Sequence, residues 1–492
     1  MAPPFPHLNV ASAYSMRYGT AFPRALVDRA SEYGMDILAL TDRDGLYGAV
    51  KHAQACAAAG IAPVLGVNLA LDVPASAFTP VPGIRTPRPR TGPEAEDRVT
   101  VLARSGGWSR LCRLVTAAHS TGERGAPKVT RELVGTWAGG PGGDHGFGDD
   151  DGLVVLLGPR SDVGRAVAER RDEHARTLLG LWRAAVPGVV IELVDQYGFR
   201  DATTAVRMLG LAESAGVPAV LTNAARYLDP ADHQVGDVLD AARQLVPLHP
   251  RHLERTTSHA YLKSTKEMWQ VAAKVCGADQ ERVARLLFTT RRLAEACSMD
   301  PGELLAFRSD PPNLNLPEVG RDPVPLLRNR VEDGLARRGL DRSAEARARL
   351  RDELDIIERK RLSGYFIAVA GITDMIRGMD IRCAIRGSGA GSLVNYLIGI
   401  GEVNPLDHGL LMERFLSEGR IGLPDIDVDV ESARRLDCYK AIFERYGEAR
   451  VACVSMMETY RARSAIRDVA GAMGLPPHEI DAIAKAFPHI RA

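Results

Sequence analysis

The stretch Pro424-Asp425-Ile426-Asp427-Val428-Asp429-Val430 alternates three carboxylates with three aliphatic residues. Read as a strand, its period of two places Asp425, Asp427 and Asp429 on one face and Ile426, Val428 and Val430 on the other. The aliphatic face belongs against a core. The acidic face repels itself unless something positive stands before it, and divalent cations with oxygen ligands are the usual answer. A charged edge strand that blocks edge pairing shows the same alternation, so the stretch has to be weighed with its neighbours.

Upstream lies Arg386-Gly387-Ser388-Gly389-Ala390-Gly391-Ser392, followed by the apolar run from Leu393 to Ile398. Small residues let backbone N–H groups approach an anion. The helix that follows is expected to present free N–H groups and a positive dipole end to the same place. Arg386 adds a bidentate donor. The loop is not of the Walker type, which needs Gly-Lys-Ser/Thr. Between the two motifs stand Asn404-Pro405-Leu406 and Glu413-Arg414-Phe415-Leu416. Either motif alone is weak; their order within one compact stretch is specific.

The whole chain of 492 residues has room for two to four domains. Lys+Arg and Asp+Glu are equal at 62 each, so any nucleic-acid surface has to be local. Seven dispersed cysteines without a Cys-x-x-Cys pair argue for a reducing compartment and against a disulfide framework or zinc ribbon. The sequence holds no signal peptide and no apolar run long enough to span a bilayer, which makes the cytoplasm the expected location.

The first half reads as alternating strands and helices: strands at His7–Ser12, Ile37–Leu40, Pro63–Val67, Val99–Ala103, Leu153–Gly158, Val189–Val194 and Ala219–Thr222, with helices between them. Such βα repeats predict a parallel sheet or barrel with its chemistry at the carboxyl ends of the strands. Those ends carry Asn9, Ala11, Asp42, Arg43 and Asn68. Residues 71–98 read as a surface insertion, 138–152 as a Gly/Asp-rich loop, and 163–184 as one helix. From 228 onward the chain turns helical, with a Pro/Asn-rich connector at 309–325. The helix at 344–361 has Leu350, Leu354, Ile356 and Ile357 as its apolar positions, and its charges read as a solvated face.

The first half resembles the polymerase and histidinol phosphatase (PHP) domain that opens the bacterial C-family DNA polymerases. The resemblance rests on Tyr14-Ser15-Met16, Leu38–Asp42, Gly45–Lys51, Pro63–Gly66, Ile191-Glu192-Leu193 and Thr222-Asn223 with Tyr227-Leu228. Members with an active site carry imidazoles and carboxylates where this chain has Asn9, Ala11, Arg43, Asn68, Ala224 and Arg226; only Asp42 is kept. The resemblance thus implies a scaffold without bound metal or phosphoesterase activity.

The second half, through the glycine loop and the Asp strand, resembles the palm of the DNA polymerase III alpha subunit, and the degenerate PHP positions look like the error-prone, mutagenesis-associated type. The implied fold is α/β: a PHP-type distorted (βα) barrel at 1–230, a helical connector and start of the palm at 231–320, an α+β polymerase palm at 321–450, and the start of a helical thumb at 451–492. The implied function is DNA-directed DNA polymerase activity, a two-metal nucleotidyl transfer in replication or error-prone repair synthesis. Asp427 and Asp429 would be catalytic and bind Mg²⁺ with Asp425 beside them, while Arg386, Gly387 and Ser388 would contact the triphosphate of a deoxynucleoside triphosphate. Arg461, Arg463 and Arg467 would touch duplex phosphates or form a solvated helix start.

Primer-template DNA is the implied partner, with no membrane. A sliding clamp and accessory polymerase subunits would be engaged through regions beyond these residues. The family's third catalytic carboxylate and its fingers are also expected beyond residue 492, so the chain alone is expected to be inactive. The competing readings are a PHP-type metal-dependent phosphoesterase and a non-catalytic DNA- or partner-binding fragment.

Overall fold

The computed structural model describes residues 3–72, 96–121, 125–139, 152–253, 257–306, 316, 319–320, 322–419, 424–447, 450–454, 456–457 and 459–488. Most of the expected insertion at 71–98, of the loop at 138–152 and the first half of the connector at 309–325 lie outside the described residues. Contacts divide the chain into two units, Met1–Leu305 with Met457–Ala492, and Ala306–Met456.

The first unit begins with α1 (Pro23–Glu32), β1 (Ile37–Leu40), α2 (Ala49–Ala59), β2 (Ala62–Leu71) and β3 (Arg98–Ala103). It continues with α3 (Trp108–Thr121), β4 (Lys128–Val129), α4 (Arg131–Ala138), β5 (Leu153–Leu157), α5 (Asp162–Ala168), α6 (Asp172–Ala185), β6 (Gly188–Val194), α7 (Asp201–Ala215) and β7 (Ala219–Thr222). The helices α8 (His233–Gln244), α9 (Thr265–Val275), α10 (Gln280–Cys297) and α11 (Pro301–Ala306) follow. The strands order as β1-β2-β3-β5-β6-β7, with β4 beside β2. They are Val- and Leu-rich and buried along almost their whole length, as befits strands covered on both faces.

The expected parallel sheet is corrected at one place: β3 runs antiparallel to both β2 and β5. A parallel return needs a crossover, usually helical, and the Pro-rich sequence between β2 and β3 has no helical pattern. The expected strand at His7–Ser12 reduces to two parallel bridges, His7 to Leu38 and Val10 to Ala225. They link β1 at one edge of the sheet to the segment just past β7 at the other, so this stretch joins the two ends of a curled sheet. The single helix expected at 163–184 is two, α5 and α6, broken where Arg170 takes a positive φ of 60°.

The second unit holds α12 (Pro323–Arg338), α13 (Ala344–Arg359), α14 (Ser363–Gly378), β8 (Cys383–Arg386), α15 (Leu393–Leu397), β9 (Asp427–Val430) and α16 (Arg435–Tyr446). Its core runs from Leu327, Val331 and Leu335 through Leu350 and Ile357 to Phe366, Leu393, Phe415 and Leu416. Phe366 and Phe415 meet edge to face with ring centroids 6.1 Å apart, a pairing worth about 0.5–1.5 kcal/mol beyond its buried area. The remaining helices, α17 (Ala462–Ala472) and α18 (Pro477–Ala486), belong to the first unit. There Ala472 accepts a backbone hydrogen bond from Leu248 at 2.7 Å, and Arg17 pairs with Asp468 at 3.4 Å. Among the described residues, no helix is long and apolar enough to cross a membrane.

Candidate functional site

The Asp strand finds its partner in the residues that lead into the glycine loop. β8 and β9 pair antiparallel in a register that sets Arg386 opposite Asp427, Ile385 opposite Val428 and Ala384 opposite Asp429. Ile426 and Val428 pack against the core of the second unit, and Val430 packs with Ile376, Ile381 and Cys438. The alternation thus turns Asp427 and Asp429 away from the core. One guanidinium gathers both: Arg386 Nη2 lies 3.2 Å from Asp427 Oδ2, and its Nε donates to Asp429 Oδ1 at 3.1 Å. The three side chains are 61%, 40% and 64% exposed, so a ligand reaches them from solvent.

Asp425 stands before the first residue of β9 and is exposed. Ile426 N–H donates to the Tyr365 hydroxyl at 3.0 Å, which pins the strand to α14. Burial, with Asp425 and Asp427 near it, pushes that hydroxyl above its usual pKa. Among the described residues, no group of three or more His, Cys, Asp or Glu is gathered as a metal site. The pair Asp427 and Asp429 is nonetheless a hard-oxygen donor set already converging on a cation, which suits Mg²⁺.

The loop itself is a short 3₁₀ segment, Gly387–Gly391. Gly387 adopts φ of +74°, and a Cβ there would sit 3.6 Å from Asp427 Oδ2. Glycine lets the chain turn over the acid pair at no steric cost. Gly391 is required for another reason: a Cβ would lie 2.6 Å from the Leu411 carbonyl oxygen. That glycine serves packing rather than anion approach.

The expectation that the following helix offers its free N–H groups to an anion is overturned. The end of α15 is already taken by Glu353 of α13. The carboxylate accepts from Leu393 N at 3.0 Å, Val394 N at 3.1 Å and Ser392 Oγ at 2.9 Å. Arg349, one turn earlier, donates to Glu353 at 2.7 Å and to the carbonyls of Gly391 and Leu410 at 2.9 and 3.2 Å. Glu353 is 1% exposed, so the reading of that helix's charges as solvated fails at this position. The missed signal was its spacing: three residues after Leu350 and four before Ile357, it lies inside the apolar stripe.

In the first unit the positions singled out on the strand ends come together, and their polar side chains are engaged by shared neighbours. Asn9 donates to Glu192 at 2.7 Å and to Thr100 at 3.2 Å. Asn68 donates to the same Thr100 hydroxyl at 3.0 Å and accepts from Arg98 at 2.6 Å. Asp42 is enclosed by Ser12 and Ser15, with Ser12 N at 2.6 Å and Ser15 Oγ at 2.7 Å. Burial raises its pKa to about 6, and burial likewise raises that of Glu192. The Arg43 and Arg226 guanidinium carbons lie 3.3 and 3.9 Å from the Tyr18 ring centroid. Arg226 also forms a buried bidentate pair with Asp240, both bonds at 3.0 Å. Guanidinium offers a metal no lone pair.

Residues 7–196 match the PHP domain model, and residues 325–492 match the model of the bacterial DNA polymerase III alpha NTPase domain. The PHP match lies in the first half of the chain and the polymerase III alpha match in the second. Curated relatives align with both. The error-prone DNA polymerase of Mycobacterium tuberculosis (strain ATCC 25618 / H37Rv) is 34% identical over 503 residues, covering 99% of this chain and 42% of the relative. That of Corynebacterium efficiens is 33% identical, covering 97% and 40%, and that of Symbiobacterium thermophilum is 32% identical, covering 98% and 42%. The chain thus spans less than half the length of these relatives. The polymerase III alpha match contains every residue of the site on β8, the loop and β9, and the PHP match contains Asn9, Asp42, Arg43, Asn68 and Glu192.

Proposed function

We propose that this chain is the PHP and palm part of an error-prone-type DNA polymerase alpha subunit, working in the cytoplasm in replication or repair synthesis. In this reading Arg386, Gly387 and Ser388 bind the triphosphate of an incoming deoxynucleotide, and Asp427 and Asp429, with Asp425 beside them, bind Mg²⁺. The observation that carries it is the pairing of Arg386 with both acids, which brings the anion-binding loop and the metal-binding strand into one place. A divalent cation held there would activate the primer 3′-hydroxyl and offset the charge of the leaving pyrophosphate.

The protein's own contribution is positional. β9 sets the carboxylates two residues apart on one face, Tyr365 fixes the strand's start, and Gly387 keeps the space above Asp427 clear. Arg386 holds the acids together until it turns to the phosphates. Primer-template DNA is the proposed partner, together with a sliding clamp and accessory subunits. For the PHP unit we infer a scaffold that holds no metal, because Asn, Ala and Arg stand at its ligand positions and the Asn and Arg side chains are already engaged by Thr100, Glu192, Tyr18 and Asp240. That counts against the phosphoesterase reading.

Equilibrium binding of deoxynucleoside triphosphates to the purified chain, with and without Mg²⁺, tests the site. Arg386→Ala should weaken binding about 10–100-fold, as expected for losing a charged hydrogen-bonding partner. Asp427→Asn combined with Asp429→Asn should remove its Mg²⁺ dependence. Binding indifferent to all three substitutions would sink the assignment and favour a non-catalytic role.

A further inference from the structure

Glu353 is the feature that the proposed chemistry does not use. It is a buried carboxylate on α13, distant in sequence from the glycine loop, yet it carries three hydrogen bonds from Ser392, Leu393 and Val394, the residues that end the loop and begin α15. Its charge is balanced by Arg349, which also holds the carbonyls of Gly391 and Leu410. The two side chains therefore clasp both sides of the loop's exit. The loop's other end is fixed by the pairing of β8 with β9. Between these two anchors only Gly387, Ser388, Gly389 and Ala390 remain, and Asn395 Nδ2 already holds the Gly389 carbonyl at 3.0 Å.

We propose that Glu353, with Arg349, is a positioning residue for triphosphate binding. It consumes the N-terminal N–H groups of α15, so that end of the helix is not an anion site. It thereby sets which backbone atoms of the loop face outward beside Arg386. Two consequences follow. Anion affinity at this site comes from Arg386 and the metal-binding acids rather than from a helix dipole, so binding should depend strongly on Mg²⁺. Removing the Glu353 charge, while keeping its shape, leaves Arg349⁺ unbalanced near the loop. Metal-free triphosphate should then bind better, a change that loss of structure alone cannot produce.

The inference rests on the nucleotide-binding reading, and the experiment separates the two. The full 492-residue chain is compared with Glu353→Gln, Glu353→Ala and Leu327→Ala, the last removing a buried side chain of α12 as a control for general destabilisation. Binding of dATP is measured with Mg²⁺ and with EDTA, alongside the thermal midpoint and amide exchange of residues 387–397. The expected result is that Glu353→Ala weakens Mg²⁺-dATP binding at least tenfold beyond Leu327→Ala, and that Glu353→Gln raises affinity in EDTA several-fold while recovering part of the Mg²⁺-dependent binding. Equal losses in Glu353→Ala and Leu327→Ala, or no rise for Glu353→Gln in EDTA, would overturn the proposal. If the parent chain binds no triphosphate, the function reading fails. Amide exchange then decides the remaining part: protection at Leu393 and Val394 must fall in Glu353→Ala and hold in Leu327→Ala, and any other pattern refutes the clasp.

Discussion

Gly391 and Asp42 show how single residues carry opposite kinds of constraint. At Gly391 the constraint is steric. With the Leu411 carbonyl oxygen 2.6 Å from where a Cβ would stand, Gly391→Ala should destabilise the second unit by about 1–3 kcal/mol, the usual range for overpacking. Urea unfolding followed by circular dichroism would measure it. At Asp42 the constraint is electrostatic. Burial raises its pKa from 3.8 to about 6, so the folded state holds the proton more tightly than the unfolded chain. Its contribution to stability is full at low pH and is lost as pH rises through about 6. His7 acts in the opposite sense, since burial lowers its pKa to about 4 and its contribution is lost as pH falls. The clean measurement is therefore the difference between the parent and Asp42→Asn. The variant should gain relative stability between about pH 4 and 6, and a flat difference would refute the assignment.

The acids of β9 and the arginine of the loop were legible in the residues because alternation and small-residue runs leave local traces. Glu353 was not, because a charge on a helix reads as solvated until its position in the apolar stripe is counted. The hydrogen-bonded filling of the strand ends was half legible: the replacements at Asn9, Arg43, Asn68 and Arg226 could be read, while their partners Thr100, Arg98 and Asp240 depend on register and packing.

At the scale of elements, the long buried strands of the first unit were readable, the short β4 and β8 were not, and neither was strand direction. The Val- and Leu-rich runs of β5, β6 and β7 announce burial on both faces, whereas the reversal of β3 depends on pairing between segments distant in sequence. Helix boundaries follow local chemistry more closely. Ser264 and Glu267 form a reciprocal cap at the start of α9, with Ser264 N–H donating to the Glu267 carboxylate at 2.8 Å. Between α9 and α10 the helical stretch is interrupted at Gly277 and Ala278, both with positive φ. Ser264→Ala should cost about 1 kcal/mol, read as a lowered thermal midpoint; an unchanged midpoint would show that the cap contributes nothing.

At the scale of the whole molecule, the second unit has its own core, spanning α12 to the Phe415-Leu416 anchor. Residues 306–456, expressed separately, should show cooperative thermal unfolding. A broad, featureless melt would show that the unit depends on the rest of the chain. The reading of residues 451–492 as the start of a thumb came from the family resemblance. In the structure Arg463 instead donates to the Phe487 carbonyl at 3.1 Å and Arg467 to Asp481 at 2.9 Å, so two of the three arginines offered to duplex phosphates already tie α17 to α18.

The return of α17 to α8 sets a timetable for synthesis. α8 and its following turn leave the ribosome with Ala241, Val238, Val246 and Leu248 awaiting the apolar partner they acquire in Ala472. The intervening residues, which include the whole second unit, must be translated first. At roughly 5–20 residues per second this takes on the order of 10–45 s. During that interval the nascent first unit displays a sticky face beside a growing, unfinished neighbour. Ribosome-bound chains of this protein should therefore recruit apolar-binding chaperones until translation passes Ala472, and release them soon after.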